Sequence, residues 1–114
     1  MLPGQYHIKL RVYNKERAFG QGVAQLLELV EAKGSLRAAY GAMAMSSSKA
    51  WKILHQAEAD LGFPLLLTTS GGANGGGARL TPEAKELLIK YRALEADLQA
   101  YAKERFALYF QEKM

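Results

Sequence analysis

Between Pro64 and Thr81 the chain carries two short apolar runs, residues 65–68 and 78–80, on either side of Ser70-Gly71-Gly72-Ala73-Asn74-Gly75-Gly76-Gly77. So many glycines in a row rule out a helix or a strand, because each loses more backbone freedom on folding than any other residue. The two flanking runs therefore read as strands joined by a long loop. A phosphate-binding loop would need a lysine and a Ser or Thr at its end, opening a helix. Here the glycines lead into Ala78-Arg79-Leu80, a strand pattern, so nucleotide binding is not expected. As a wing, the loop would let its tip pass close to a phosphate backbone and offer N–H groups to it. The plainer alternative is turn chemistry without a role.

What precedes and follows the glycine run is mostly helical in period. From Gln21, Val23, Leu26, Leu27 and Val30 form a stripe that Gly34 ends. Ser35 caps a second helix, Leu36 to about Met43, and Ser46 caps a third that runs to about Leu61, before Gly62. In the third helix Ala50, Trp51, Leu54, Ala57 and Leu61 recur at steps of one, three and four, and Trp51 is expected in the core. Two helices joined by Ala44, Met45 and the Ser46 cap have the layout of a helix-turn-helix. At the other end, Thr81 and Pro82 open a helix extending to about Phe110, roughly 40 Å long at 1.5 Å per residue. Its apolar seam, Leu87, Tyr91, Leu94, Leu98, Tyr101 and Leu108 with Arg105 interrupting, outreaches a small head and calls for a second copy. The same reading covers Tyr101, Phe106, Tyr109 and Phe110, for which an aromatic cage is the less simple account. Before all of this, residues 6–13 alternate: Tyr6, Ile8, Leu10 and Val12 point one way, and His7, Lys9, Arg11 and Tyr13 the other. That is the period of a half-buried strand.

Charge placement points toward a polyanion. Up to Thr81 there are nine bases against five acids, and from Pro82 onward six against six, so the whole excess of +4 lies in the first two thirds. No apolar run approaches a membrane span, and the start lacks the layout of a signal peptide; the expected location is cytoplasmic. There is no cysteine, and His7 and His55 have no partner at metal-ligand spacing. No Ser-His-Asp set or paired-carboxylate site is evident, so the chain reads as a non-enzyme with no cofactor and no metal site.

Ser46-Ser47-Ser48-Lys49, with Lys52 one turn on, places hydroxyls and ammonium groups at the start of the third helix, where they can meet phosphates and base edges together. Plain capping with solvated lysines is the bland alternative. The neighbouring helix-turn-helix pattern favours the recognition reading.

These residues resemble a known family. Gly34-Ser35-Leu36 followed by Ala38-Ala39, then Leu61-Gly62, Pro64-Leu65 and Leu80-Thr81, look like the DNA-binding head of LysR-type regulators. Closer still is the N-terminal domain of the molybdate-responsive ModE family. The shared features are Met45-Ser46, Lys49-Ala50-Trp51, Pro64-Leu65, Thr69-Ser70-Gly71-Gly72, Gly75-Gly76-Gly77-Ala78, Leu80-Thr81 and Tyr91. Phe19-Gly20-Gln21-Gly22 and the preceding alternating segment resemble the start of single-domain members. The resemblance implies a dimeric winged helix whose third helix enters the major groove with the wing on flanking backbone. It also implies operators near molybdate-transport or molybdoenzyme genes. The chain departs from the family at Ser47 and Ser48, where an aromatic and a basic residue are usual, and at Ala57-Glu58, in place of a Met-Asn pair. The oxyanion-sensing domain of two-domain members is not expected here, and neither is a small-molecule effector site in this chain.

The expected fold is mainly α with a small β wing. A winged helix-turn-helix over residues 1–81, with an N-terminal strand, continues into a dimerisation helix over 82–114 within the same unit. The expected function is sequence-specific binding of double-stranded DNA by a homodimeric transcription regulator. The expected contacts are Ser46, Ser47, Ser48, Lys49, Lys52, Arg79, Gly75, Gly76 and Gly77. The alternative is a winged-helix protein-interaction module that does not bind DNA.

Overall fold

The computed structural model describes residues 1–69 and 76–111. Helix α1 (Gln21–Lys33) is followed by α2 (Leu36–Ala42) and α3 (Ser47–Leu61), then strands β1 (Leu66–Thr68) and β2 (Ala78–Leu80), and finally α4 (Pro82–Phe110). The strands pair antiparallel with Leu66 opposite Leu80, Leu67 opposite Arg79 and Thr68 opposite Ala78. This is the winged-helix arrangement, mainly helical with a two-stranded wing.

Local chemistry sets the ends of the elements. Gly34 and Gly62 take left-handed conformations, φ 75° and 85°, and their N–H groups return to Val30 and Glu58 carbonyls, which closes α1 and α3. The Ser35 and Ser46 hydroxyls accept from the Ala38 and Lys49 amides to open α2 and α3. Thr81 does the same for α4, accepting from the Ala84 amide at 3.1 Å. Its hydroxyl also donates to the Pro64 carbonyl at 2.8 Å, and its amide donates to the Leu65 carbonyl at 3.0 Å. Glu58 on α3 accepts from the Leu65 amide at 2.7 Å. The base of the wing is thus fastened to α3 on one side and to α4 on the other.

The core gathers Val23, Ala24, Leu26, Leu27 and Val30 of α1 with Leu36, Ala39, Ala50, Leu54 and Ala57 of the helix-turn-helix, and Leu65, Leu80, Ala84 and Leu88 close it. The alanines at the α1, α2 and α3 contacts allow the helices to approach closely. Across this core Arg92 on α4 grips α1: its guanidinium donates to both Glu28 oxygens, to Gln21 and to Glu95 of its own helix. The hydrogen bonds to Glu28 raise its proton affinity further above the ordinary arginine value. Only the first third of α4 is buried, through Ala84, Leu88 and Tyr91. The remainder projects, giving the molecule extents of 64 × 28 × 20 Å.

The N-terminal segment departs from expectation. Residues 6–13 form no strand; they keep the alternation, with Ile8, Leu10 and Val12 half-buried between exposed neighbours, but share only one antiparallel bridge, Val12 with Phe19. The apolar side rests on helices instead. Tyr91 donates its hydroxyl to the Leu10 carbonyl at 2.8 Å, and the Tyr6 ring meets Phe106 at 4.8 Å between centroids. A turn then binds the end of α3: the amides of Asn14, Lys15 and Glu16 all donate to the Asp60 carboxylate at 2.7 Å.

Among the described residues no helix is long and apolar enough to cross a membrane. No group of three or more His, Cys, Asp or Glu side chains among them is placed to hold a metal ion.

Two features of the local geometry can be tested by substitution. Ala44, in the turn between α2 and α3, sits at φ 52°, where a Cβ crowds the backbone. Ala44→Gly should raise stability by about 0.5–1 kcal/mol in urea unfolding; an unchanged or lower midpoint would refute the strain. The amides of Asn14 and Glu16, ahead of that of Lys15, hold the Asp60 carboxyl below its ordinary value near 3.8. A native value below the unfolded one means that the contact stabilises fully above about pH 4 and is lost as pH falls through the lowered native value. Asp60→Asn should therefore be less stable at pH 7 and fall less steeply in stability below pH 4, as read by urea unfolding at pH 7 and pH 3. Equal acid slopes for the two proteins would overturn this.

Candidate nucleic-acid interface

Helix α3 turns a narrow stripe, Ala50, Leu54 and Ala57, into the core. The opposite side carries Ser48, Lys52, His55 and Ala59, spaced by three and four and all exposed. One flank of that outward face continues through Lys49 and Gln56. The other passes through Trp51 toward Glu58, which ties α3 to the wing. Ser46, Ser47, Ser48, Lys49 and Lys52 are all exposed and gathered at the first turns of the helix. The Ser46 hydroxyl is already engaged as the cap, accepting from the Lys49 amide at 3.1 Å. Among the described residues neither Lys49 nor Lys52 forms an ion pair, so both ammonium groups remain available to anions.

Trp51 corrects one expectation. Rather than lying in the core, it is 40% exposed, with its ring against His55 at 5.3 Å. It stands about 100° around the helix from Ala50, at the edge of the buried stripe formed by Ala50, Leu54 and Ala57. Spacing alone could not separate an edge position from a core one. Trp51 is the surface residue that sequence reasoning misplaced, and His55 beside it is exposed, as its polarity suggests.

In the wing, Arg79 is exposed on β2 across from Leu67. Gly76 and Gly77 are exposed at the start of the returning strand, while Gly75 lies outside the described residues. The Gly77 amide does not reach solvent as a donor: it donates to the Thr69 hydroxyl at 3.0 Å, and its carbonyl accepts from the Thr69 amide. A Cβ at Gly77 would meet that hydroxyl at 3.2 Å, so the glycine serves close packing of the wing.

The expected seam on α4 divides in two. Tyr91 is 2% exposed, packed edge-on against Phe19, and burial pushes its phenol up. It belongs to the core of its own chain and leaves the set. Leu87 is half-buried against the same core. Leu94, Leu98, Tyr101 and Leu108 are exposed. Leu87, Leu94, Tyr101 and Leu108 recur every seven residues, with Leu98 and Arg105 between them, which is the spacing of a left-handed helix pair. Arg105 lies over the rings of Tyr101 and Tyr109 and donates to the Tyr109 hydroxyl.

No protein-family model matches the chain. Among curated proteins it is 33% identical over 76 residues to the molybdenum transport protein ModE of Azotobacter vinelandii, covering 67% of this chain and 28% of that protein. With the ModE protein of Herbaspirillum seropedicae the identity is 39% over 70 residues, 61% of this chain and 26% of that one. With the molybdenum-pterin-binding protein MopB of Rhodobacter capsulatus it is 35% over 71 residues, 62% and 26%. The chain spans about a quarter of the length of these curated relatives. Across that shared segment, the chain is similar to the ModE proteins.

Proposed function

We propose that this protein binds double-stranded DNA with sequence selectivity, as a homodimeric transcription regulator acting on molybdenum-related genes. The observation that carries the reading is the outward face of α3. Serine hydroxyls and two lysines, without carboxylate partners among the described residues, occupy the exposed first turns of a helix whose back is locked into a helix-turn-helix core. An α-helix fits the major groove, where hydroxyls and ammonium groups meet base edges and phosphates. Arg79 and the wing then lie on flanking backbone. The molybdenum connection rests on the names of the relatives, two of them molybdenum transport proteins.

The exposed stripe of α4 supports pairing of two copies. Leu94, Leu98, Tyr101 and Leu108 leave apolar surface on a helix that projects from the head, and a second α4 supplies matching surface at the same repeat. Two heads joined in this way would read half-sites about 34–36 Å apart or at multiples of that distance.

Replacing Lys49 and Lys52 with alanine should weaken duplex binding. It should also reduce the slope of log affinity against log salt by about 0.9 for each phosphate that a lysine no longer neutralises. Trp51 is the single tryptophan of the chain and sits on this surface, so its emission should change on titration with mixed genomic fragments. Absence of saturable duplex binding near physiological salt would favour a protein-interaction module instead. For pairing, Leu94→Glu combined with Leu98→Glu should convert the protein to a monomer by light scattering at micromolar concentration while the head stays folded by circular dichroism. A parent protein that is already monomeric would overturn the dimer.

A further inference from the structure

We infer that the N-terminal segment is a second backbone-binding element, which carries Lys9, Arg11, Lys15 and Arg17 to the DNA phosphates on the side of α3 opposite the wing. The inference rests on the DNA-binding reading above and adds a surface that the reading did not contain.

From the end of α3 the segment runs to α4, where Leu10 meets Tyr91 and Tyr6 meets Phe106, and on the way it borders one flank of α3. At the C-terminal end of the helix, the Asn14–Glu16 turn is hooked to Asp60 by three amides, and the Asn14 side chain donates to the Asp60 carbonyl at 2.9 Å. A cleft beside it is bounded by Lys15, Glu16, Arg17, Gln56 and Asp60. Nearer the N-terminal end, a second cleft is lined by Lys9 and Arg11 on one wall and by Lys49, Ile53 and Gln56 on the other. Lys49, Ile53, Gln56 and Asp60 are spaced by four, three and four, so they form one flank of α3. The wing is fastened on the other flank, through Glu58. The outward face with Ser48, Lys52 and His55 lies between the two.

That layout matches the shape of the target. A helix in the major groove, about 12 Å wide, has a phosphate strand on each side. The wing reaches toward one, and the basic segment borders the other. All four bases are exposed, and among the described residues none of them forms an ion pair. Two carboxylates lie at the turn. Asp60 of α3 takes three backbone amides and attracts Lys15, and Glu16 is exposed between Lys15 and Arg17, so the four bases outnumber the one acid of the segment. Arg11 is preset by a hydrogen bond from its guanidinium to the Arg17 carbonyl at 3.1 Å, and the Tyr91 hydroxyl pins the neighbouring Leu10. An arm already ordered on the protein loses little freedom on binding.

The test uses the full chain and a mixed-sequence duplex titrated over a range of salt, comparing the parent with Lys9→Gln/Arg17→Gln. Both side chains are exposed and outside the ion pairs that hold the fold, and thermal melting checks that the variant stays folded. The expected result is weaker binding and a salt slope smaller by about 1.8, two phosphate contacts at 0.9 each, with no change in the preference between sequences. Lys9→Glu alone gives an independent reading and should weaken binding further than Lys9→Gln. A parent that binds while the double variant keeps its affinity and slope overturns the arm and leaves the recognition helix standing. A parent that shows no saturable binding overturns both.

Discussion

The arrangement depends on the buried hydroxyl of Thr81. It is 2% exposed and satisfied in both directions, accepting from the first turn of α4 and donating to Pro64. An unpaired hydroxyl at that depth would cost about 1–3 kcal/mol, so the bond geometry is held tightly. Through it the direction of α4 is set relative to the start of the wing. Glu58, by accepting from the next amide, Leu65, sets the wing relative to α3. Two hydrogen-bonded side chains thereby tie together the helix that faces outward, the strands beside it and the helix that projects away.

Much of this was readable from the chain because the punctuation is local. Glycines after α1 and α3, serines before α2 and α3, and Thr81-Pro82 before α4 act within one turn of their own position, and the observed ends coincide with them. Readings that needed long-range information fared differently. The alternation in residues 6–13 correctly marks one side as half-buried, but alternation does not say whether the cover is another strand or a pair of helices. Tyr91 shares the three-and-four spacing of the exposed α4 stripe. On a helix, however, the core face and the seam lie less than a quarter-turn apart, and only the position of Phe19 and Leu10 decides which side claims the ring. Asp60 is a single acid near a helix end, and its three amide partners come from residues more than forty positions away.

Polarity along the molecule has a simple physical logic. The excess of bases lies on the head, while residues 82–114 carry equal numbers of acids and bases, some of them paired, as Glu86 is with Lys90. Positive potential is therefore concentrated on the head, where the outward face of α3 lies. Small residues in the head serve the same end. Ala39, Ala50 and Ala57 let the three helices approach so closely that little side-chain volume is needed to fill the core, and long polar side chains are left for the surface.

The grip of Arg92 on Glu28 and Gln21 has a mechanical meaning. Beyond Tyr91 the projecting helix is a lever with its fulcrum at that guanidinium, and a tilt of about 5° there swings a tip roughly 30 Å away by about 2.5 Å. A few polar atoms at the root of α4 thus govern the reach of the whole molecule, much as a hinge pin governs a long door.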